Sequence, residues 1–243
     1  MRVPGYVATA SRVLGQLRND HRTVALMLFV PGVLVGLFAW LFSGGPQFQG
    51  VGPVVLALFP FVVMFIVTSI ATLRERTTGT LERLMTTPIS KADIIVGYAL
   101  AFSLVAIVQT ALTVTFAITV CGLDVAGPIW QLFVCAIVNS IMGTALGLLT
   151  SAFARTEFQA VQFLPLVVFP QMILGGVFME RSLMPRALEI ISDFMPLTYS
   201  IKAVKAVAKG LGGGDLGWPL LIVAACAVVF LIVGSLTLSR RTP

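Results

Sequence analysis

Charge in this 243-residue chain is bunched, and that bunching constrains the fold more than any motif does. Five stretches, 23–73, 94–123, 125–154, 158–179 and 216–239, contain no Asp, Glu, Lys or Arg. They total 157 residues, so all 26 charged side chains fall in the remaining 86 positions. A soluble domain of this size carries about 25% charged residues, whereas here the figure is 11%, with 58% apolar. Such a chain cannot wet a globular surface, so its apolar runs must face lipid. Secreted disulfide scaffolds, disordered regulators and soluble enzymes are excluded.

A helix needs about 20 apolar residues to cross about 30 Å of hydrocarbon. The longest stretch is interrupted by Ser43-Gly44-Gly45-Pro46, followed by Gly50, Gly52 and Pro53. That cluster reads as turn chemistry and divides the stretch in two. Six spans are expected, near 24–43, 54–73, 94–121, 128–153, 158–178 and 217–238, within a single domain covering 1–243. The fold class is therefore an all-α membrane protein. Eleven Lys and Arg residues lie at one side of these spans. The opposing loops 44–53 and 122–127 have none, and 179–216 has five. By the positive-inside rule both termini are cytoplasmic. The net charge of +6 is then a set of membrane flanks, not a nucleic-acid surface. Cys121, Cys135 and Cys226 fall in apolar runs and read as buried small residues, and the lone His21 has no companions for a metal site.

Before the first span, residues 4–20 place Tyr6, Val7, Ala10, Val13, Leu14 and Leu17 at helical spacing, opposite Arg12, Gln16 and Arg18. A helix patterned this way is expected to lie along the inner membrane surface, and no cleavable signal peptide is expected ahead of it. The connection 74–93 reads Arg74-Glu75-Arg76-Thr77-Thr78-Gly79-Thr80-Leu81-Glu82-Arg83-Leu84-Met85-Thr86-Thr87-Pro88. Thr80 is expected to cap a short helix with Leu81, Leu84 and Met85 on one ridge. Pro88 is expected to end it, and Ser90 with Asp93 to form a capping box for the third span. In 179–216, two short helices are expected to dip into the outer leaflet. Pro196 starts the second, and Lys202, Lys205 and Lys209 lie on its polar face, snorkelling to headgroups.

The run 74–90 resembles the cytoplasmic loop of ABC transporter permeases of the type-2 exporter family. It shares Arg74, Glu75, Gly79, Thr80, Leu81, Glu82, Leu84, Thr87 and Pro88 with that family's E-R-E-x-G-T-L-E-x-L-x-x-T-P pattern. A second match runs from Leu174-Gly175-Gly176-Val177-Phe178 through Met184-Pro185 to Met195-Pro196-Leu197-Thr198-Tyr199, where Met195 replaces the usual Asn. The resemblance implies that 74–88 holds a coupling helix seated in an ATP-hydrolysing subunit. Leu81, Leu84 and Met85 would be its packed knobs, and Glu75, Glu82 and Arg83 its polar partners, with Gly79 at its root. It also implies that 179–216 is a re-entrant outer hairpin involving Pro196, Tyr199, Lys202 and Lys205. Two ATPase copies and a second permease, the same or a paired one, would complete the assembly in a bacterial cytoplasmic membrane. No G-x-x-x-x-G-K-[ST] loop occurs in the chain, so ATP and Mg are expected on the partner ATPase, with no cofactor and no enzymatic site here.

No Asp, Glu, Lys, Arg or His lies at the centre of any expected span. An ion-coupled carrier normally keeps one there to bind its coupling ion, and a membrane hydrolase needs a nucleophile with its base. Both readings are disfavoured, as is a non-transporting assembly or sensor protein. The polar residues within the spans, including Gln109, Thr110, Thr113, Asn139, Ser140, Gln162 and Gln171, are candidates for helix packing or for the transport pathway. Gly32/Gly36 and Gly143/Gly147 are spaced for close helix approach, and Pro165 and Pro170 are expected to kink the fifth span. A mostly apolar lining favours an amphipathic or lipid-like cargo: a drug, a lipid or a lipid-linked glycan.

Overall fold

A computed structural model describes residues 4–86, 89–179, 181–211 and 214–237, without the side chains of Leu81, Glu82, Met85, Ser182 and Gly214. The elements are α1 (Gly5–Asn19), α2 (His21–Leu41), α3 (Pro46–Thr77), α4 (Thr80–Met85), α5 (Lys91–Thr119), α6 (Ile129–Ser151), α7 (Glu157–Phe163), α8 (Phe169–Leu174), α9 (Arg186–Asp193), α10 (Pro196–Ala208) and α11 (Gly214–Leu236). A π-helical segment, Leu164–Val168, joins α7 to α8, and no strand forms among the described residues. Among the described residues, six helices are long and apolar enough to cross a membrane: α2, α3, α5, α6, the α7–α8 unit and α11. The chain is a multi-pass membrane protein.

At about 1.5 Å per residue, the 32 residues of α3 extend about 48 Å, well past a 30 Å hydrocarbon layer. This length departs from the expected boundary. Only Phe42–Gly45 form the turn, with Ser43 and Gly44 at positive φ, and Pro46 opens α3 at a position where its missing N–H costs nothing. Gly50, Gly52 and Pro53 lie inside the helix. Gly52 serves packing rather than turning, since a Cβ there would come within 2.7 Å of the Leu123 side chain.

The core is built on α3 against α6. A Cβ on Gly143 would sit 2.5 Å from the Phe61 carbonyl oxygen, and one on Gly147 would sit 2.5 Å from that of Phe65. The two backbones therefore touch at two points about one turn apart, with Phe61 and Phe65 fully buried beside them. The fifth span runs through Glu157–Leu174 with a π-helical stretch at Leu164–Val168 that contains Pro165 and is followed by Pro170.

Two ends of the bundle differ. One carries α1, the ends of α3 and α6, α4, and the starts of α5 and α7. The other carries the α2–α3 turn, residues 120–128, and the α9–α10 hairpin. There α10 turns back into the bundle, burying Leu197, Ile201, Val204 and Val207 against α11, α6 and α3. The N–H groups of Ala126 and Gly127 donate to the carbonyls of Ala208 and Val207.

Candidate functional site

The α3 end that passes beyond the apolar layer carries Arg74, Glu75 and Arg76 in consecutive positions, so their side chains leave the helix about 100° apart. Glu75 turns to α1 and α5. Arg12 of α1 grips it with both terminal nitrogens, Nη1 to Oε1 at 2.9 Å and Nη2 to Oε2 at 2.8 Å. The Tyr98 hydroxyl of α5 donates to the same carboxylate. Tyr98 is almost wholly buried, stacks on Phe102 and lies beneath the Arg12 guanidinium. Arg74 turns to the opposite side and holds Glu157 in the first turn of α7, Nε to Oε1 at 2.6 Å and Nη2 to Oε2 at 3.1 Å. The first pair is mostly shielded and the second half-exposed, so the first contributes more. Together they tie α1, α5 and α7 to one turn of α3.

Packing reinforces the tie. Thr9 of α1 sits on Gly97 of α5, where a Cβ would come within 2.5 Å of it, and Ala10, Val13 and Leu17 are buried. The N-terminal helix is thus clamped onto protein along one face, not resting on lipid alone.

From this braced root hangs α4. Gly79 precedes it at φ 73, a left-handed conformation that glycine adopts without strain. The expected Thr80 cap does not form; its hydroxyl meets that of Thr78 instead. The capping box at Ser90 and Asp93 is present, with the Asp93 N–H donating to Ser90 Oγ at 3.0 Å and the Ser90 N–H to Asp93 Oδ2 at 3.2 Å.

The expected docking residues divide. Arg83 is exposed. Leu84 is half-buried, packing on the chain's own cluster around Ile94, Ile95 and Tyr98. Glu75 is internal, because an acid at that depth is stabilised by Arg12 and Tyr98. The side chains of Leu81, Glu82 and Met85, and all of Thr87 and Pro88, lie outside the described residues. Arg76 has buried Nε and Nη2 atoms without a hydrogen-bond partner among the described residues.

Within the spans, Asn139 donates to the Ala57 carbonyl at 2.6 Å, beside the interruption at Pro60, and Thr110 pairs with Ser140 at 2.9 Å. Thr113 donates to the Gln109 carbonyl. Gln109 is fully buried, and both its amide atoms lack a hydrogen-bond partner among the described residues. Gln162 is exposed on α7, at a shallow cavity with Arg155 and Gln159. Gln171 is nearly buried and accepts from the Leu197 N–H at 3.4 Å. That contact serves the start of α10, where Met195 offers no side-chain cap and Pro196 lacks an N–H.

The five positive charges of 179–216 are largely answered locally. Arg181 pairs with Asp193 and Ser192, and Arg186 with Glu189. Lys205 donates to the Gly176 carbonyl at 2.8 Å, so it is not a solvated lysine on a free face. Lys202 lies over the Tyr199 ring. Partial burial, with Arg181 nearby, holds its ammonium below the usual lysine value. The Tyr199 hydroxyl donates to the Asp193 carbonyl.

A short helix, α4, follows the over-long α3 where the family-like loop motif lies, and the comparison with known families decides the matter. Residues 6–208 match the model of the ABC-2 type transporter. The chain belongs to the ABC-2 type transporter family. Among similar proteins, the inner membrane transport permease YhhJ of Escherichia coli is 28% identical over 169 residues, 68% of this chain and 45% of that protein. The probable multidrug ABC transporter permease YbhR of Escherichia coli is 25% identical over 177 residues, 71% of this chain and 48% of that protein. The linearmycin resistance permease protein LnrN of Bacillus subtilis is 25% identical over 178 residues, 70% of this chain and 45% of that protein. The chain spans slightly under half the length of these three relatives.

Proposed function

We propose that this ABC-2 family member is the membrane-spanning permease subunit of an ATP-driven exporter in a bacterial cytoplasmic membrane, with both termini cytoplasmic. A separate ATPase, present in two copies and carrying ATP and Mg, docks on α4 and the adjoining loop. A second permease, identical or paired, completes the pathway. The chain itself performs no chemistry. The observation that carries this reading is the root of α4, where one turn of α3 is fixed to α1 through Arg12–Glu75 and to α7 through Arg74–Glu157. A push on α4 then moves three elements together, and through α3 it reaches α6 across the glycine contact. The apolar runs of the spans hold no Asp, Glu, Lys, Arg or His to bind a coupling ion, which supports an external motor.

Outward transport of an amphipathic or lipid-like cargo is supported by the apolar spans and by the drug-related names of two relatives. The test is purification in mild detergent with its ATPase, followed by reconstitution. ATP-dependent transport is expected, and Arg83→Glu, an exposed change that spares the fold, is expected to weaken ATPase retention at least tenfold. Transport that persists without the ATPase and collapses with an ion gradient would contradict the proposal.

A further inference from the structure

A cavity of about 390 Å³ lies between the α1–α2 corner and α3, within the range of small-molecule sites. Its depth is apolar, with Leu17 from α1, Ile70 from α3 and Phe102 from α5. Its mouth is charged, with Asp20 on one lip and Arg74 on the other. Asp20 caps α2, accepting from the Thr23 N–H at 3.1 Å and the Thr23 hydroxyl at 2.6 Å. Those two bonds, with Arg74 and Arg22 adding a smaller pull, hold its carboxyl below the ordinary value. Asp20 and Arg74 therefore sense each other, yet no ion pair joins them among the described residues. Both keep spare capacity. A carboxylate offers about four acceptor positions and a guanidinium five donors; Thr23 uses two of the former, and Glu157 two of the latter. Glu75 also faces the cavity, but its oxygens are taken by Arg12 and Tyr98.

Opposite charges held apart at the mouth of an apolar cavity complement a molecule with both charges at one end and a hydrocarbon tail at the other. The mouth lies where α2 and α3 pass from their charged ends into their apolar runs, which is the headgroup level of a bilayer. We propose that this cavity binds a zwitterionic phospholipid, its ammonium on Asp20, its phosphate on Arg74, and an acyl chain against Ile70 and Phe102. An anionic lipid without the ammonium would leave Asp20 facing a phosphate. The bound lipid fills the gap between the α1–α2 corner and the α3 brace. This inference stands independently of the transport proposal, because every contact lies within one chain.

The test uses the full chain in nanodiscs containing phosphatidylethanolamine or phosphatidylglycerol with photoreactive acyl chains, and cross-links mapped by mass spectrometry. Labelling at 66–71 and at Phe102 is expected to favour phosphatidylethanolamine by about fivefold, the selectivity of one partly exposed charge contact. Asp20→Asn keeps the helix cap but removes the charge, and is expected to bring the ratio close to one. Ala71→Trp fills the cavity and is expected to abolish labelling there, while labelling elsewhere on the lipid-facing surface continues and reports the fold. A second arm adds photoreactive lysophosphatidylethanolamine from water to lipid-free protein. Labelling by the bilayer lipid assigns the membrane as source, and labelling by the water-borne amphiphile alone overturns that assignment. Equal labelling by the two phospholipids, or an unchanged preference in Asp20→Asn, overturns the site.

Discussion

Gly147→Ala adds one methyl group where α6 meets α3. The new carbon would lie 2.5 Å from the Phe65 carbonyl oxygen and 3.2 Å from the Ser69 backbone nitrogen. Neither atom can rotate away, because both belong to the α3 backbone. Ordinary contact begins near 3.4 Å, so the helices must part by roughly 0.9 Å, the difference between 3.4 and 2.5. A gap of that size forfeits a quarter to a half of each dispersion contact it opens. The buried Phe61, Phe65, Met142 and Leu146 would all lose contacts, for a total of about 2–3 kcal/mol, the upper range for overpacking. Gly15→Ala is the control. Gly15 lies on an exposed face of α1 with nothing near its Cβ, and alanine there is expected to stabilise the helix by about 0.5–1 kcal/mol. Unfolding in mixed micelles, followed by tryptophan fluorescence, is expected to order the proteins Gly15→Ala, wild type, Gly147→Ala. Equal stability for Gly147→Ala and Gly15→Ala would refute the close contact.

Glu75→Gln removes the negative charge and replaces one of the two oxygens that accept from Arg12 and Tyr98 with an NH2 donor, and is expected to cost about 2 kcal/mol. An Arg12→Ala/Glu75→Ala cycle is expected to return a coupling of about 1–2 kcal/mol, and additive effects would deny the tie. Met195→Asn supplies the cap that α10 lacks and is expected to stabilise the hairpin by about 0.5–1 kcal/mol, measured as slower hydrogen exchange over 197–199. Asp20 has a depressed folded-state pKa, so its cap is fully present above the ordinary value of 3.8 and is lost as pH falls through the lower folded value. The Thr23 amide is therefore expected to keep its exchange protection from pH 7 to pH 5 and lose it only below about pH 4.

Six long apolar helices were legible from the spacing of charge together with the Ser43-Gly44-Gly45-Pro46 turn that divides the longest run, because a membrane span is a local property of about 20 residues. The capping box at Ser90 was legible for the same reason, since its two partners are three positions apart. The α2–α3 boundary misled because Gly50, Gly52 and Pro53 look like turn residues. Lipid and helix packing reward glycine for a different property, close approach, as Leu123 against Gly52 illustrates. The brace could not be read from sequence. Arg12 and Glu75 are 63 positions apart, Arg74 and Glu157 are 83 apart, and nothing local marks them as pairs. Tyr98 was hidden in a charge-free run, although a phenol at the edge of a span signals a polar handle in need of a partner. The ridge of Leu81, Leu84 and Met85 was drawn from periodicity, which cannot say whether a side chain faces a partner or its own core. Leu84 faces its own core.

The account turns on where α4 points and what covers it. The most direct measurement is maleimide labelling of Arg83→Cys in intact and in permeabilised cells, in a background free of Cys121, Cys135 and Cys226. The expected result is no reaction with an impermeant reagent in intact cells, rapid reaction after permeabilisation, and protection when the ATPase is co-expressed. Labelling from outside the intact cell, or an unchanged rate with the ATPase present, would contradict the account.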